Sequence, residues 1–198
     1  MQIETRKQIA NLTSNILNPF LVGLVVILLL SFESTSSILD ALKWSLILTA
    51  VGILPVFLVI IYLVQTGGLD SIFTHAREER TKLYLLAGIC IIVSGIILLQ
   101  FGAPLMLVAA FITALIEILV FISINLWWKI SVHTAFVAAL VTILVILYGP
   151  IAAVSAVLLP LIAWARIKLR HHSLAQVTIG ALLASLIVVM VFYFFGLV

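Results

Sequence analysis

Charge is scarce in this 198-residue chain, where Asp, Glu, Lys and Arg together make up 9% of the residues. A water-soluble domain carries about 25%, and without that polar cover a surface this apolar is not soluble, so a soluble fold is excluded. Cysteine is represented by Cys90 alone, which rules out an internal disulfide and any zinc or iron–sulfur site built on several thiolates. The polar composition of a disordered chain is missing as well. What is present instead is 65% apolar residues and a mean hydropathy of +1.41. Closed β-barrels alternate apolar and polar residues along each strand, whereas the runs here are uniformly apolar. The chain therefore reads as all-α, a polytopic transmembrane helix bundle of six or seven spans forming a single membrane domain over 1–198.

A helix crossing the hydrocarbon needs about 20 mostly apolar residues. Against that length the runs are 18–32, which is short, then 41–65, 83–101, 104–127, 133–148, 150–166 and 173–196. Gly52 and Pro55 interrupt the second run, a pattern that membrane helices tolerate. Phe101-Gly102-Ala103-Pro104 and Tyr148-Gly149-Pro150 supply stop and start signals between adjoining runs, which implies hairpins. The longest polar loop falls at 66–82. Residues 1–17 lack the apolar core and cleavage site of a secretory signal; Lys7, Ile9, Leu12 and Ile16 read as a short interfacial helix.

The polar residues gather in three places: Asp70, His75, Arg77, Glu78, Glu79, Arg80 and Lys82; then Lys129, Ser131 and His133; then Arg166, Lys168, Arg170, His171, His172 and Gln176. Two spans separate each cluster from the next, so all three return to one membrane face. Cytoplasmic loops normally carry positive charge, which accounts for Arg6, Lys7, Lys168 and Arg170. It does not account for His133 and His172, both expected in the first turn of an apolar helix, where packing gives no reason for an ionisable ring.

Arg166, five residues, His172, three residues and Gln176 resemble the third signature of the type 2 phosphatidic acid phosphatase superfamily, Ser-Arg-x5-His-x3-Asp. Ile130-Ser131-Val132-His133 resembles its second, Pro-Ser-Gly-His. For the first, Lys-x6-Arg-Pro, Arg80-Thr81 stands for Arg-Pro, Phe73 occupies the lysine position, and Arg77 is the substitute cation. The resemblance covers roughly 70–180, within a phosphatase-like core of about 66–198. It implies a metal-independent phosphatase for a lipid phosphate or diphosphate, polyprenyl or phosphatidic-acid-like, working through a phosphohistidine intermediate with no cofactor.

On that reading His172 attacks phosphorus, His133 protonates the leaving oxygen, and Arg80, Arg166, Arg77 and Ser131 hold the phosphoryl oxygens. Phosphoryl transfer gains most from positioning and charge neutralisation, which guanidinium forks supply without a metal. Nearby guanidinium charge favours the neutral imidazole a nucleophile needs, and a bound dianion favours the charged imidazole an acid needs. Gln176 is placed to accept the Nδ1 proton of His172 and leave Nε2 free. The purely structural alternatives are a capping box in Ser173-Leu174-Ala175-Gln176 and an N-cap at Ser131. His171, adjacent to His172, would point about 100° away on a helix and reads as interfacial. Glu78-Glu79 pairs more simply with Arg77 and Arg80 than with a metal, so no metal site is expected, and nothing suggests nucleic acid.

Glu117 stands alone among the charges within 111–124. It reads as a proton relay or substrate contact, or as a protonated carboxyl bonded between helices on a face shared with Asn125. The competing functions are an inactive relative that binds or moves anionic lipids, favoured by the missing lysine, proline, glycine and aspartate, and a transporter using Glu117. Charge bias sets the orientation. With Arg77, Arg80 and Arg166 set aside for chemistry, six cations share the clusters' face and Lys43 alone opposes them. That bias predicts a cytoplasmic site in a protein of the cell membrane.

Overall fold

Helix follows helix along the computed structural model, which describes the backbone of residues 2–69 and 77–198 and the side chains of 4–69 and 79–198. The helices are α1 (Gln2–Ile16), α2 (Pro19–Ser34), α3 (Ile38–Leu48), α4 (Leu54–Gln65), α5 (Arg77–Gln100), α6 (Leu105–Asn125), α7 (Val132–Tyr148), α8 (Leu158–Lys168) and α9 (Leu174–Phe194). A π-helical turn, Thr49–Ile53, joins α3 to α4, and a 3₁₀ segment, Gly149–Val157, precedes α8. No strand occurs among the described residues. Six helical stretches among them are long and apolar enough to cross a membrane, and the fold is that of an all-α polytopic membrane protein. Asp70 and His75 lie outside the described residues, as does the side chain of Arg77.

The chain divides into two compact units, one of residues 1–23 with 129–198 and one of 24–128. In the second unit Pro55 shapes the long stretch Ile38–Gln65. Proline has no N–H and its ring collides with the carbonyl four residues back. The chain widens there into the π turn, with the Leu54 N–H reaching the Thr49 carbonyl. Gly52 lies in that turn, and a Cβ on it would touch Ser94 Oγ at 3.4 Å, so α5 packs close. Gly102, at φ +62°, reverses the chain between α5 and α6, which pack as the hairpin expected from Phe101-Gly102-Ala103-Pro104. Gly95 makes room for Phe111, whose ring a Cβ would meet at 2.1 Å, and Asn125 Nδ2 donates to Thr81 Oγ1 at 3.0 Å further along the pair.

The start of α5 differs from what polarity alone suggests. Helix α5 begins at Arg77, so 77–82 is helical instead of the end of a loop over 66–82. Arg, Glu and Lys are good helix formers, and acidic residues in a first turn suit the helix dipole. Polarity marked where the helix leaves the lipid, and not where it starts.

In the first unit, Asn18 separates α1 from α2. Its Oδ1 accepts the N–H groups of Phe20 and Leu21 at 2.9 and 3.0 Å, and Pro19 opens the new helix. The stretch Val132–Lys168 is 37 residues long, yet α8 packs back on α7, with Gly149 at φ +71° in the bend. The runs 133–148 and 150–166 are thus two antiparallel arms. Helix α9 lies along α7, burying Val177, Gly180, Ala184 and Val188 while Leu182, Leu186 and Tyr193 stay exposed. In lipid, helices associate through close packing of small residues, a role Gly180 and Ala184 fill here, while Phe192 and Ile187 are large side chains of α9 that are also buried.

Candidate functional site

Three helix termini of the first unit meet at one end. Ser131 caps α7: its Oγ faces the Thr134 N–H at 3.5 Å, and Thr134 Oγ1 donates to the Ser131 carbonyl at 3.0 Å. Its own N–H reaches the Gln176 carbonyl at 3.4 Å, bringing the start of α7 against the start of α9. Gly180 makes that approach possible, since a Cβ there would sit 2.8 Å from the Ser131 carbonyl oxygen. Two positively polarised helix N-termini therefore stand side by side. His133, the second residue of α7, is buried, as is Ser131.

The third terminus is the end of α8. The Arg170 N–H bonds the Ile167 carbonyl at 2.9 Å and the His171 N–H bonds the Arg166 carbonyl at 3.0 Å, the two bonds of a Schellman motif. That motif needs a left-handed residue, which here is Arg170 at φ +58° and not glycine; among the described residues no other non-glycine has a positive φ. The His172 N–H converges on the same Arg166 carbonyl at 3.3 Å. Arg166 is 4% exposed, and its Nη1 donates to Ser14 Oγ on α1 at 2.8 Å.

His171 and His172 consequently sit in the loop between α8 and α9. This corrects the helical placement of both: His172 is two residues ahead of α9, and the 100° separation of neighbouring helical residues does not apply. Apolarity alone suggests a helix from the first residues of the run, but the Schellman turn and the Ser173 cap occupy the residues between α8 and α9.

Gln176 serves both purposes read for it. The capping box is complete, with the Gln176 N–H on Ser173 Oγ at 3.3 Å and Gln176 Oε1 taking the Ser173 N–H at 3.1 Å. The same Oε1 lies 3.1 Å from Nδ1 of His172. Because the Ser173 N–H needs an oxygen partner, the cap fixes which amide atom faces the imidazole. An amide oxygen only accepts, so the bond to Nδ1 requires the proton to be there. For a neutral ring that leaves the lone pair on Nε2.

The second unit holds the remaining sequence-predicted residues. Arg80 is buried on α5; its Nη2 donates to the Tyr84 hydroxyl at 2.6 Å, and its guanidinium stands 5.6 Å from the centre of the Tyr84 ring. Arg77 is the first residue of α5. Glu117 and Asn125 are both buried on α6, as the shared face required. Glu117 Oε1, however, has no hydrogen-bond partner among the described residues, so the expected bond between helices is not found there. No group of three or more His, Cys, Asp or Glu side chains suited to a metal occurs among those residues either.

Sequence reasoning missed Ser14, Tyr84, Gly180 and the backbone of Arg170. Ser14 and Arg166 are 152 residues apart, and no local pattern links them. Glycine near the start of an apolar helix was the available hint for Gly180. The chain matches no protein-family model, no curated protein and no solved structure.

Proposed function

We propose that the protein is a membrane phosphatase that hydrolyses a lipid phosphate or diphosphate through a phosphohistidine intermediate. The observation that carries the reading is the bond between Gln176 and His172, because it holds the proton on Nδ1 and makes the unprotonated Nε2 the nucleophilic nitrogen of the neutral ring. In the proposed reaction Nε2 forms a bond to phosphorus as the bond from phosphorus to the leaving oxygen breaks, and His133 gives a proton to that oxygen, which departs as an alcohol from a monophosphate or as the lipid monophosphate from a diphosphate. Water then attacks the phosphohistidine, losing a proton to His133, and inorganic phosphate leaves with His172 restored. Arg166 and the paired N-termini of α7 and α9 supply positive charge for the phosphoryl oxygens. Ser131 contributes a further polar contact. Arg80 and Arg77 enter through the resemblance to the type 2 phosphatidic acid phosphatases, and guanidinium groups make the chemistry independent of metal.

The substrate class follows from the setting. Helix-end groups on a membrane protein suit a head group at the bilayer surface with its tail left in lipid. The excess of cations on that face further supports a site open to the cytoplasm of the cell membrane. With Cys90 replaced, a cysteine at Thr74 should resist an impermeant reagent in intact cells; labelling would place the site outside. Activity is tested by phosphate release from prenyl phosphates and phosphatidic acid with excess chelator, and the intermediate by acid-labile, alkali-stable phosphate on the protein. Val132 where the motif has glycine and Gln176 where it has aspartate favour a second reading, a lipid-phosphate binder without turnover. Tight binding with no phosphate release would select it.

A further inference from the structure

Among the described residues, the buried polar side chains of the α5–α6 hairpin have partners, with one exception. Arg80 donates to the Tyr84 hydroxyl, Ser94 Oγ to the Cys90 carbonyl at 2.8 Å, Thr113 Oγ1 to the Ala109 carbonyl at 2.9 Å, and Asn125 Nδ2 to Thr81 Oγ1. Glu117 is the exception. It is 8% exposed, and its Oε1 has no hydrogen-bond partner among the described residues. A buried polar atom so placed has given up water with nothing in return, and it calls for a reason.

The unit that contains Glu117 offers it no charge to pair with. At 1.5 Å per residue it lies about 18 Å from the first residue of α6 and about 12 Å from the last, deep in a stretch able to span the membrane. Gly95 against Phe111 and Thr81 against Asn125 fix one antiparallel register between α5 and α6. In that register Glu117 stands level with Ile89 and next to the level of Cys90, which is also buried. Lys82, the nearest cation of α5, is about 10 Å further along the axis, and Arg80, beyond it, is directed at Tyr84. The other titratable groups described in this unit are Glu79 near the start of α5, and Glu33, Asp40, Lys43 and Tyr62, all four exposed, with Asp40 bound to Lys43 at 3.0 Å. Thr113, one turn back on the same face of α6, has given its only proton to Ala109 and has none for a carboxylate.

A carboxylate here would be an isolated charge in hydrocarbon, whereas the acid is neutral and costs far less to keep. A purely structural acid would spend its O–H on a bond to a neighbouring helix. With no such bond among the described residues, the proton itself is what the side chain is left to hold. We propose that Glu117 is a proton-binding site in the membrane interior, an acid that takes up and releases its proton reversibly instead of tying two helices together. The site uses none of the residues of the phosphatase reading and is tested without a phosphatase assay.

Infrared difference spectroscopy on the purified full-length protein reads the site directly, because the carbonyl stretch of a carboxylic acid is highest in frequency when the acid makes no hydrogen bond. Wild type should show such a band, shifting down soon after transfer to heavy water and lost reversibly as the pH is raised. Glu117→Gln should lack it. Dicyclohexylcarbodiimide, which enters lipid and reacts with protonated carboxyls, should label Glu117 of the wild-type protein, as mapped by mass spectrometry, with labelling that falls as the pH rises. Glu117→Leu should melt no lower than wild type, since leucine breaks no bond that the carboxyl makes. A band that neither exchanges with deuterium nor responds to pH, or a clearly lowered melting temperature in Glu117→Leu, would make Glu117 a structural acid and overturn the proposal. So would the absence of both the band and the adduct. Labelling blocked by sodium at constant pH would overturn it as well, by making the ligand a metal cation.

Discussion

Gln176 Oε1 accepts the Ser173 N–H at 3.1 Å and faces His172 Nδ1 at 3.1 Å, so one oxygen both starts a helix and sets a tautomer. The two roles separate by substitution. Gln176→Ala removes both bonds, and a lost capping box costs about 1 kcal/mol. The expected result is a lower melting temperature together with a rate reduced about tenfold or more as the imidazole loses its orientation. Gln176→Glu keeps an acceptor for the cap and places a carboxylate beside the ring, where it stabilises developing positive charge. It should melt near wild type and turn over at least as fast. The shorter Gln176→Asp should retain the rate better than Gln176→Ala. Melting curves and steady-state rates on the same preparations check all three.

His172→Ala should abolish turnover, since the phosphoryl–nitrogen bond has no other proposed donor, and His133→Ala should slow departure of the alcohol. A loss of at least about a hundredfold is expected for each. The variants differ in what accumulates. His172→Ala should show no acid-labile phosphate at all. His133→Ala, given a substrate with a good leaving group such as a nitrophenyl phosphate, should still form the intermediate, because departure then needs no proton. Phosphate trapping after rapid quench distinguishes them, and retained turnover in both would remove histidine from the mechanism.

The membrane spans were legible because lipid imposes length and apolarity, which any reader can count. The hairpins at Gly102 and Gly149 were legible for the same reason, as glycine and proline stand between the runs. The start of α5 was not, because outside the lipid a helix of Arg77 to Lys82 and a polar loop have the same composition. At the site, spacing placed Gln176 next to His172 correctly, and the capping box was readable from Ser173. What spacing could not show was the Schellman turn, which takes His171 and His172 out of the helix, because its left-handed position is held by Arg170 where glycine would have announced it. Nor could it show Ser14 against Arg166, a contact set by how α1 lies on α8.

The left-handed Arg170 leads to a stability prediction. A side chain in that conformation costs about 1–2 kcal/mol, and glycine avoids the cost while adding about 0.5–1 kcal/mol of chain entropy to be lost on folding. Arg170→Gly should therefore raise the melting temperature relative to Arg170→Ala, which keeps a Cβ and the strain. Both lack the guanidinium, so any difference in rate between them reports the loop's backbone, and any loss they share reports the charge. A melting temperature for Arg170→Gly no higher than for Arg170→Ala would show that the turn is not strained.

Gly180 connects packing to chemistry most directly. Its missing side chain lets α9 approach the Ser131 carbonyl, and a Cβ there would lie 2.8 Å from that oxygen and 3.2 Å from Thr134 Oγ1. The first obstacle is backbone, which cannot swing aside as the tip of a long side chain can. Gly180→Ala must push α9 away from the start of α7 by a few tenths of an ångström or more, stretching the bond from the Ser131 N–H to the Gln176 carbonyl, already 3.4 Å long. Overpacking of this kind costs about 1–3 kcal/mol. Because Gln176 and His172 move with α9 while His133 moves with α7, the rate should fall by more than stability alone explains, as small misplacements at a reacting centre can cost about a hundredfold. Gly95→Ala is the control: it crowds the ring of Phe111 between α5 and α6, and Phe111→Leu in the same chain should relieve it. The expected pattern is a stability loss in Gly95→Ala that Phe111→Leu recovers with little change in kcat, against a loss of kcat in Gly180→Ala measured well below its melting temperature. Equal rates in the two glycine variants would show that the spacing of α7 and α9 does not set the geometry of the site.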